Sequence, residues 1–293
     1  MKVVTYHLPG RGAHLGLWEG DAVFPLTEYL SFQDLLAAAA GQRRHPLALV
    51  REAAPAARRR PSLRYADLDR TPDPALPHLL KPLEPVEVWA AGVTYERSRE
   101  AREAESGGAT IYDRVYRAPR PEIFFKATGP RTVGPNQPVG IRSDSRWQVP
   151  EPELGLVLGH GGALVGLVAG NDQTCRDIEA ENPLYLSQAK VFRGSCALGP
   201  AVWLVESPPG PLAIRLAIYR AGRVVFTGET STGRMVRSFA ELIDYLCRDN
   251  DLFAPTVLLT GTGIVPPDDF TLQRGDLIEI TVEGIGTLRN PVG

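Results

Sequence analysis

The segment VPEPELGLVLGHGGALVGLVAGNDQ, residues 149–173, decides the fold of this chain. Two apolar runs flank a His-Gly-Gly turn, a pattern that predicts a β-hairpin. Glu151 and Glu153 are two residues apart, so on a strand their side chains point to the same face. The first strand of the hairpin is therefore expected to carry two carboxylates side by side.

The hairpin also brings a third carboxylate to the same end. A turn centred on its first glycine places Glu151 opposite about Asn171 in an antiparallel ladder, and Glu153 opposite about Ala169. Asp172 ends the second strand and is expected beside both glutamates, even if the register slips by a residue or two.

Three carboxylates so close together repel one another, and a hard divalent cation removes that repulsion. Oxygen ligands select Mg²⁺, Mn²⁺ or Ca²⁺ over zinc, which prefers His and Cys. Three protein oxygens on a six-coordinate ion leave room for a chelating 2-keto carboxylate. The alternative is an exposed polar strand face, but Pro150 and Pro152 stiffen the segment and the strands beyond are almost wholly apolar. We favour a metal site formed by Glu151, Glu153 and Asp172, with Mg²⁺ or Mn²⁺ as the cofactor.

The chain from residue 81 to 293 is rich in strands and turns. Nine segments have strand patterns with Gly, Pro and Asp punctuation, and they are VEVWAAGV, EIFFKAT, LGLVLG, ALVGLVAG, AVWLVE, LAIRLAIYRAG, VVFTGETS, TVLLTGTG and DLIEITVEGIGTLRN. Two segments, YERSREAREAES and VRSFAELIDYLCRDN, are expected to form helices. Long strands without regular β-α alternation predict an α+β fold dominated by mixed or antiparallel sheet.

Residues 1–80 form a candidate small N-terminal α/β domain, and residues 81–293 the catalytic domain. KVVTYHL and HLGLWEGDAVFPL predict short strands, and SFQDLLAAAAG predicts a helix with a Ser cap and a closing Gly41. PLALVREAAPAARRR predicts a second helix broken by Pro55. A Pro- and Asp-rich connection then leads to a boundary near residue 80.

The composition of the chain argues against some classes of binding partner. A formal net charge of −2 provides no field that would draw nucleic acid or anionic lipid, and Arg58-Arg59-Arg60 fits a solvated connector better than a phosphate-binding patch. Three widely spaced cysteines, without a signal peptide or a long apolar span, indicate reduced thiols in a soluble cytoplasmic protein. We expect a small-molecule partner, with no nucleic acid and no membrane.

A series of motifs resembles the fumarylacetoacetate hydrolase superfamily. They occur in order between residues 86 and 293, as PEPEL, AGNDQTCRD, AKVF, LGP, LLTGTG and GDLIEITVEGIGTLRN. The resemblance implies a mixed β-roll catalytic domain, in a homodimer or homotetramer. It makes Glu151, Glu153 and Asp172 the metal ligands, Lys190 the active-site lysine, and Thr262 a hydroxyl on the substrate carboxylate.

Within that superfamily, the sequence is most similar to that of the 2-keto-3-deoxy-pentonate (arabinonate or xylonate) dehydratases. The relevant segments are WAAGVTYERSREAREAES, IYDRVYRAPRPEIFFKAT, IRSDSRWQVPEPEL and IEAENPLYLSQAK. The resemblance implies a metal-dependent hydro-lyase that converts a 2-keto-3-deoxy sugar acid into 2-oxoglutarate semialdehyde. Glu122, in PEIFFK, would be an active-site acid or base.

Two residues depart from the superfamily pattern. Ser98 stands where hydrolytic members carry a histidine that activates water, and without that base hydrolysis loses a factor of about 10²–10⁴. Arg193 stands where many members have an aspartate after the K-x-aromatic motif. Dehydration is therefore favoured, and the alternatives are an acylpyruvate hydrolase or 2-oxo acid decarboxylase on the same fold, or a non-catalytic binding protein.

The hypothesis is a metal-assisted β-elimination in which Lys190 takes a proton from C3 and Glu122 protonates the departing C4 hydroxyl. A nearby dication and burial both favour the neutral amine that a base requires. Candidates for holding the substrate are Thr262, Lys126, Ser98 and Arg142. Gly107-Gly108 and the IYDRVYRAPRP segment after them predict a flexible loop that could close over the substrate.

Overall fold

We describe the chain from a computed structural model. The structure describes the backbone of residues 1–105 and 111–293 and the side chains of residues 1–101 and 113–293.

The described residues form eighteen strands. In chain order, they are β1 (Lys2–Leu8), β2 (Gly12–Glu19), β3 (Ala22–Pro25), β4 (Leu63–Arg64), β5 (His78–Leu79), β6 (Glu87–Gly92), β7 (Glu122–Thr128), β8 (Thr132–Val133), β9 (Gln148–Val149), β10 (Pro152–Leu158), β11 (Leu164–Asp172), β12 (Thr174–Cys175), β13 (Cys196–Leu204), β14 (Ala213–Arg220), β15 (Arg223–Ser231), β16 (Thr256–Leu259), β17 (Leu277–Val282) and β18 (Gly286–Pro291).

Eight α-helices lie among these strands in the same part of the chain. They are α1 (Phe32–Gly41), α2 (Pro46–Ala57), α3 (Tyr65–Leu68), α4 (Glu96–Glu105), α5 (Ile111–Arg117), α6 (Arg176–Glu181), α7 (Leu186–Lys190) and α8 (Phe239–Cys247). Ser31 caps α1 as predicted, because its hydroxyl accepts a hydrogen bond from the Asp34 backbone N–H at 3.1 Å.

Two large sheets pack face to face. The larger has the strand order β4-β3-β2-β1-β13-β11-β10-β16-β6-β7, with β5 and β8 pairing β1 and β13, and the smaller has the order β15-β14-β17-β18. Leu154 and Leu156 of β10 belong to the core between the sheets, where they share a cluster with Ile214 and Ile280. Val157 faces the opposite way, into the core under α1 and α2. Both faces of β10 are buried, which explains its continuous apolar run.

The hairpin of β10 and β11 confirms the predicted strands and moves their register by one residue. Leu158 pairs with Leu164, as a turn centred on Gly161 requires, but Val157 pairs with Gly166. Val165 is thus the extra residue of a β-bulge, and every pair beyond it shifts by one. Because of that shift, Glu153 lies opposite Gly170 rather than Ala169.

Two local predictions were wrong. Pro55 does not break the second helix, which continues to Ala57. A proline in the last turn removes a single N–H donor and leaves the earlier hydrogen bonds of the helix intact. The predicted loop after the Gly-Gly pair is helical over Ile111–Arg117, whereas Gly107 and Gly108 lie outside the described residues.

The N-terminal strands continue the large sheet. Lys2 and Val3 of β1 pair with Trp203 and Val202 of β13, so the sheet runs unbroken from β4 to β7. The domain boundary near residue 80 stays a prediction. Among the described helices, none is long and apolar enough to cross a membrane.

Candidate metal centre and active site

Three carboxylates converge where the hairpin strands reach the edge of the core. Glu153 lies in β10, Glu151 directly precedes that strand, and Asp172 ends β11. The Asp172 backbone N–H donates to the Glu151 carbonyl at 3.0 Å, which places these two residues side by side. One oxygen atom from each of the three side chains lies within 4.8 Å of the others, and all three side chains are buried. The predicted cluster therefore forms.

The Lys190 ammonium lies against two of these carboxylates. Its Nζ donates to Glu151 Oε2 at 2.6 Å, to Asp172 Oδ2 at 3.0 Å and to Thr174 Oγ1 at 2.6 Å. Lys190 is the last residue of α7 and is only 2% exposed. The space among the carboxylates therefore already accepts a positive charge.

Glu151 and Asp172 each have a further partner on the oxygen that does not contact Lys190, and Glu153 has a backbone partner. Arg176 Nη2 lies 3.0 Å from Glu151 Oε1, and the Gly261 backbone N–H donates to Glu153 Oε2 at 2.6 Å. Lys126 Nζ lies 2.6 Å from Asp172 Oδ1. Three buried cations, Lys126, Arg176 and Lys190, thus neutralise the three acidic groups.

The surroundings of Glu153 perturb its pKa strongly. Burial raises the pKa of Glu153 well above its usual value, and the charges of Asp172 and Glu151 raise it further. Lys190 and the Gly261 N–H oppose this shift. A cation held among the three side chains would remove the unfavourable energy of keeping them ionised together.

A small cavity of about 20 Å³ opens onto the carboxylates. Besides the three acids and Lys190, it is lined by Ala91, Gly92, Val93, Ser98, Glu122, Phe124, Glu179, Gly261 and Thr262. Glu122 begins β7 and lies opposite Gly92 at the end of β6. A Cβ atom on Gly92 would lie 2.1 Å from Glu122 Oε2, so the glycine makes room for the carboxylate.

Four of the residues predicted to act on the substrate line this cavity. They are Lys190, Glu122, Ser98 and Thr262. The Thr262 hydroxyl also donates to the Ile264 carbonyl at 3.3 Å and accepts from the Ile264 N–H at 3.2 Å, which fixes its rotamer.

Lys126 is placed differently from the prediction, which put it on the substrate. Its ammonium is fully buried and contacts Asp172, the Gln173 carbonyl at 2.9 Å and the Lys190 carbonyl. Two of its N–H donors go to these carbonyls, and the ammonium forms a buried ion pair with Asp172 Oδ1. Lys126 therefore supports Asp172 from behind.

Arg142, predicted to hold the substrate, is not among the residues that line the carboxylate cavity. It pairs with Asp144 at 2.6 Å and donates to the Gln188 carbonyl at 3.1 Å. Together with Arg193, it lines a separate cavity of about 910 Å³. Arg193, which stands where many superfamily members have an aspartate, thus lies in the wall of a different cavity.

Three polar residues at the centre were missed by the sequence analysis as functional residues. They are Thr174, Arg176 and Glu179, all of them buried. The signal was present in NDQTCRDIEAE, where charged residues directly follow a carboxylate that ends an apolar strand. Nothing in the spacing alone shows that α6 folds back under Glu151.

The donor set fits a hard divalent cation. Three carboxylates without a His or Cys at the centre match the oxygen preference of Mg²⁺ and Mn²⁺. The fold and this centre define a mixed α+β protein, rich in sheet, with a buried all-carboxylate site for such an ion.

The chain belongs to the fumarylacetoacetate hydrolase family. The model of the family's C-terminal domain, "Fumarylacetoacetate (FAA) hydrolase C-terminal", matches residues 87–293. The predicted family and fold class are confirmed.

Two relatives with high sequence identity to the chain are described as dehydratases. The chain is 50% identical over 217 residues to a "Probable 2-keto-3-deoxyxylonate dehydratase" of Haloferax volcanii, covering 73% of this chain and 75% of that protein. It is 47% identical over 220 residues to the "2-dehydro-3-deoxy-D-arabinonate dehydratase" of Saccharolobus solfataricus, covering 73% and 74%.

A solved structure matches the whole chain. It is described as "2-keto-3-deoxy-D-arabinonate dehydratase complexed with magnesium and 2,5-dioxopentanoate", with a TM-score of 0.81 and 36% identity, covering 100% of this chain and 98% of that one. A relative of the same fold therefore binds magnesium.

Proposed function

We propose that this protein is a magnesium-dependent hydro-lyase that removes water from a 2-keto-3-deoxy pentonate of the arabinonate or xylonate type. The product is 2-oxoglutarate semialdehyde, which is the 2,5-dioxopentanoate named in the related complex. The observation that carries the proposal is the buried carboxylate cluster, which shares its cavity with Lys190 and Glu122. Two dehydratases at 47% and 50% identity support the substrate class.

We assign Glu151, Glu153 and Asp172 as the residues that hold the ion. A bound divalent ion supplies Lewis acidity, which acidifies the hydrogens beside a 2-keto group. The chain itself supplies burial: each of the three acids is at most 4% exposed, and this excludes water from the reacting carbon.

Lys190 and Glu122 divide the proton transfers in this proposal. Lys190 Nζ, in the neutral amine form that a bound dication would favour, accepts the proton from C3 while the C3–H electrons form the C2–C3 double bond of the enolate. Glu122 donates a proton to the C4 hydroxyl, which leaves as water while the enolate electrons form the C3–C4 double bond. Loss of a proton from C5 and return of a proton to C3 then give the C4–C5 enol, which takes up a proton at C4 and loses its hydroxyl proton to become the C5 aldehyde. The two groups lie on different elements, α7 and β7, that line one cavity.

Ser98 and Thr262 present hydroxyls to the same cavity and are the groups that would orient the substrate. Neither is a base strong enough to activate water for carbon–carbon cleavage, which disfavours acylpyruvate hydrolysis. We also propose that the protein works as a homodimer or homotetramer.

The test compares specificity constants with Mg²⁺ present. The enzyme is incubated with 2-keto-3-deoxy-arabinonate, 2-keto-3-deoxy-xylonate and an acylpyruvate, and the products are identified by mass. Water loss from a pentonate should dominate, and a preference for acylpyruvate would refute the proposal. Glu151→Gln should lose both turnover and magnesium binding measured by calorimetry; retention of both would remove the metal centre from the mechanism.

A further inference from the structure

We propose that Lys126 and Arg176 are positioning residues that force the carboxylates to bind the metal through one oxygen each, and that this selects Mg²⁺ over Ca²⁺. The inference rests on the metal site of the proposed function. It concerns the rear of that site and gives Lys126 a role other than the substrate contact that the sequence predicted.

The contacts divide the oxygens of two ligands into an inner and an outer set. Glu151 Oε2 and Asp172 Oδ2 both contact Lys190 Nζ, at 2.6 and 3.0 Å, so these inner oxygens share the space where a cation lies. The outer oxygens face elsewhere: Glu151 Oε1 lies 3.0 Å from Arg176, and Asp172 Oδ1 lies 2.6 Å from Lys126.

The third ligand follows the same pattern with a backbone donor. Glu153 Oε2 accepts the Gly261 N–H at 2.6 Å, which leaves its other oxygen for the ion. Gly261 has φ near +90° and is close-packed against Thr94, so this donor cannot swing aside. One oxygen of each carboxylate is thus already engaged on its outer side before any ion arrives.

The outer partners are themselves rigid. Lys126 is fully buried and spends its other two donors on the carbonyls of Gln173 and Lys190. Arg176 is 1% exposed at the first position of α6. A carboxylate can rotate into bidentate coordination only by giving up a charge-assisted contact inside the protein, where no water replaces it.

A limit of one oxygen per carboxylate affects the binding of Mg²⁺ and of Ca²⁺ differently. Mg²⁺ takes six ligands at about 2.0–2.1 Å and tolerates single oxygens with several waters, whereas Ca²⁺ takes six to eight ligands at about 2.3–2.6 Å and often uses bidentate carboxylates. Three carboxylates that each offer one oxygen, and cannot add their second, therefore suit the smaller ion, Mg²⁺. The positive charge of Lys126 weakens the binding of any dication, but it acts on both ions equally, so the ratio of their dissociation constants isolates the geometric effect.

The experiment measures Mg²⁺ and Ca²⁺ dissociation constants by calorimetry on the full-length protein and on Lys126→Met. Freeing the outer oxygen of Asp172 should shift the ratio of the two constants about tenfold toward Ca²⁺, whatever happens to the absolute values. Arg176→Lys keeps the charge but shortens the side chain and so weakens its contact with Glu151 Oε1, and it should shift the ratio by a smaller factor in the same direction.

Arg220→Met is the matched control, because Arg220 pairs with the buried Asp276 at 2.8 Å in the smaller sheet. It should leave the metal ratio unchanged. If Lys126→Met does not fold, Arg176→Lys alone decides the outcome. An unchanged ratio in folded Lys126→Met and Arg176→Lys, or an equal shift in Arg220→Met, would overturn the inference. Failure of the unmodified protein to bind Mg²⁺ would instead overturn the proposed function.

Discussion

At the scale of single residues, Glu122 has its place in the cavity because the neighbouring strand carries no side chain there. Gly92 lies opposite Glu122 across the β6–β7 pair, and a Cβ would lie 2.1 Å from the carboxylate. The backbone at Gly92 is not in the left-handed region, so alanine fits the strand. Gly92→Ala should therefore push the carboxylate away, and kcat should fall about 10²-fold or more, the usual contribution of a general acid.

The matched control for that change is Gly41→Ala, since a Cβ at Gly41 meets nothing within 4 Å. Its kcat should equal that of the unmodified enzyme. Circular dichroism and thermal melting of both variants check that the fold survives. Full activity in Gly92→Ala would show that the position of Glu122 does not matter for turnover.

The division of labour between base and acid is tested by hydrogen exchange at C3. In deuterated water, Lys190→Met should abolish the exchange because no amine remains to take the C3 proton. Glu122→Gln should slow water loss while sparing some exchange, since it blocks only the later step. NMR of the recovered substrate measures both, and the opposite pattern would reverse the two assignments.

At the scale of secondary structure, the hairpin of β10 and β11 sets the geometry of the site. The strand periods, the turn and the meeting of three carboxylates follow from the sequence alone, because a period of two and a Gly-rich turn leave few alternatives. The bulge at Val165 does not follow from it, since a one-residue insertion into the ladder has no sequence signature in two apolar runs. The three acids converge all the same, because a shift of one residue keeps Glu151 beside Asp172.

The residues behind the carboxylates were harder to predict. Lys126 and Arg142 are both cations near a predicted substrate site, and the sequence cannot tell an internal partner from a ligand. The distinction depends on burial and on competing acceptors. Lys126 pairs with Asp172 and donates to two backbone carbonyls inside the protein, whereas Arg142 pairs with Asp144 at another cavity.

The turn of the hairpin should tolerate change without altering the metal site. Gly161 has φ near +65° and a Cβ there meets nothing within 4 Å. Gly161→Ala should cost about 1–2 kcal/mol of unfolding free energy from backbone strain alone. The metal dissociation constant should not change, because the strand from Glu153 to Leu158, about 17 Å long, separates Glu153 from the turn.

Gly162→Ala, one residue further along the turn, should destabilise the fold more than Gly161→Ala. It combines a positive φ with a Cβ only 2.3 Å from Cys247 Sγ, so its loss of stability should be larger. Denaturant unfolding gives the free energies, and calorimetry gives the metal affinity. A change in metal affinity in Gly161→Ala would mean that strain at the turn reaches the site.

At the scale of the whole molecule, the charge balance of the centre predicts how the protein responds to loss of the metal. Lys126, Arg176 and Lys190 neutralise the three acids without any ion. Chelation with EDTA should therefore abolish turnover while leaving the circular dichroism spectrum unchanged. The melting temperature should fall by a few degrees, since an ion that binds only the folded state adds about 2.7 kcal/mol at 100 times its dissociation constant.

Adding Mg²⁺ back should restore both turnover and melting temperature. A loss of secondary structure on chelation would mean that the internal cations do not suffice to hold the acids together. Turnover that survives complete removal of divalent ions would exclude a catalytic role for the metal.

The continuity of the large sheet bears on the proposed boundary near residue 80. The strand β1 pairs with β13, and the Leu204 N–H donates to the Met1 carbonyl at 2.9 Å. Helices α1 and α2 cover a core that also contains Val157, Val168 and Leu259 of the central strands. Residues 1–80 therefore complete the sheet and cover one of its faces, in addition to any role as a separate unit.

A fragment of residues 81–293 tests this view. Removing the first 80 residues would leave β13 unpaired at Val202 and Trp203, where β1 lies, and would expose the apolar face that α1 and α2 cover, a combination that favours aggregation. The fragment should elute as aggregates in size-exclusion chromatography and lack a cooperative melting transition. The control is a protease site inserted in the 72–76 connection, because cleavage there leaves both pieces in place and should preserve the melt. A monodisperse fragment that binds Mg²⁺ as the full chain does would show that the catalytic domain folds by itself and that the shared sheet is dispensable.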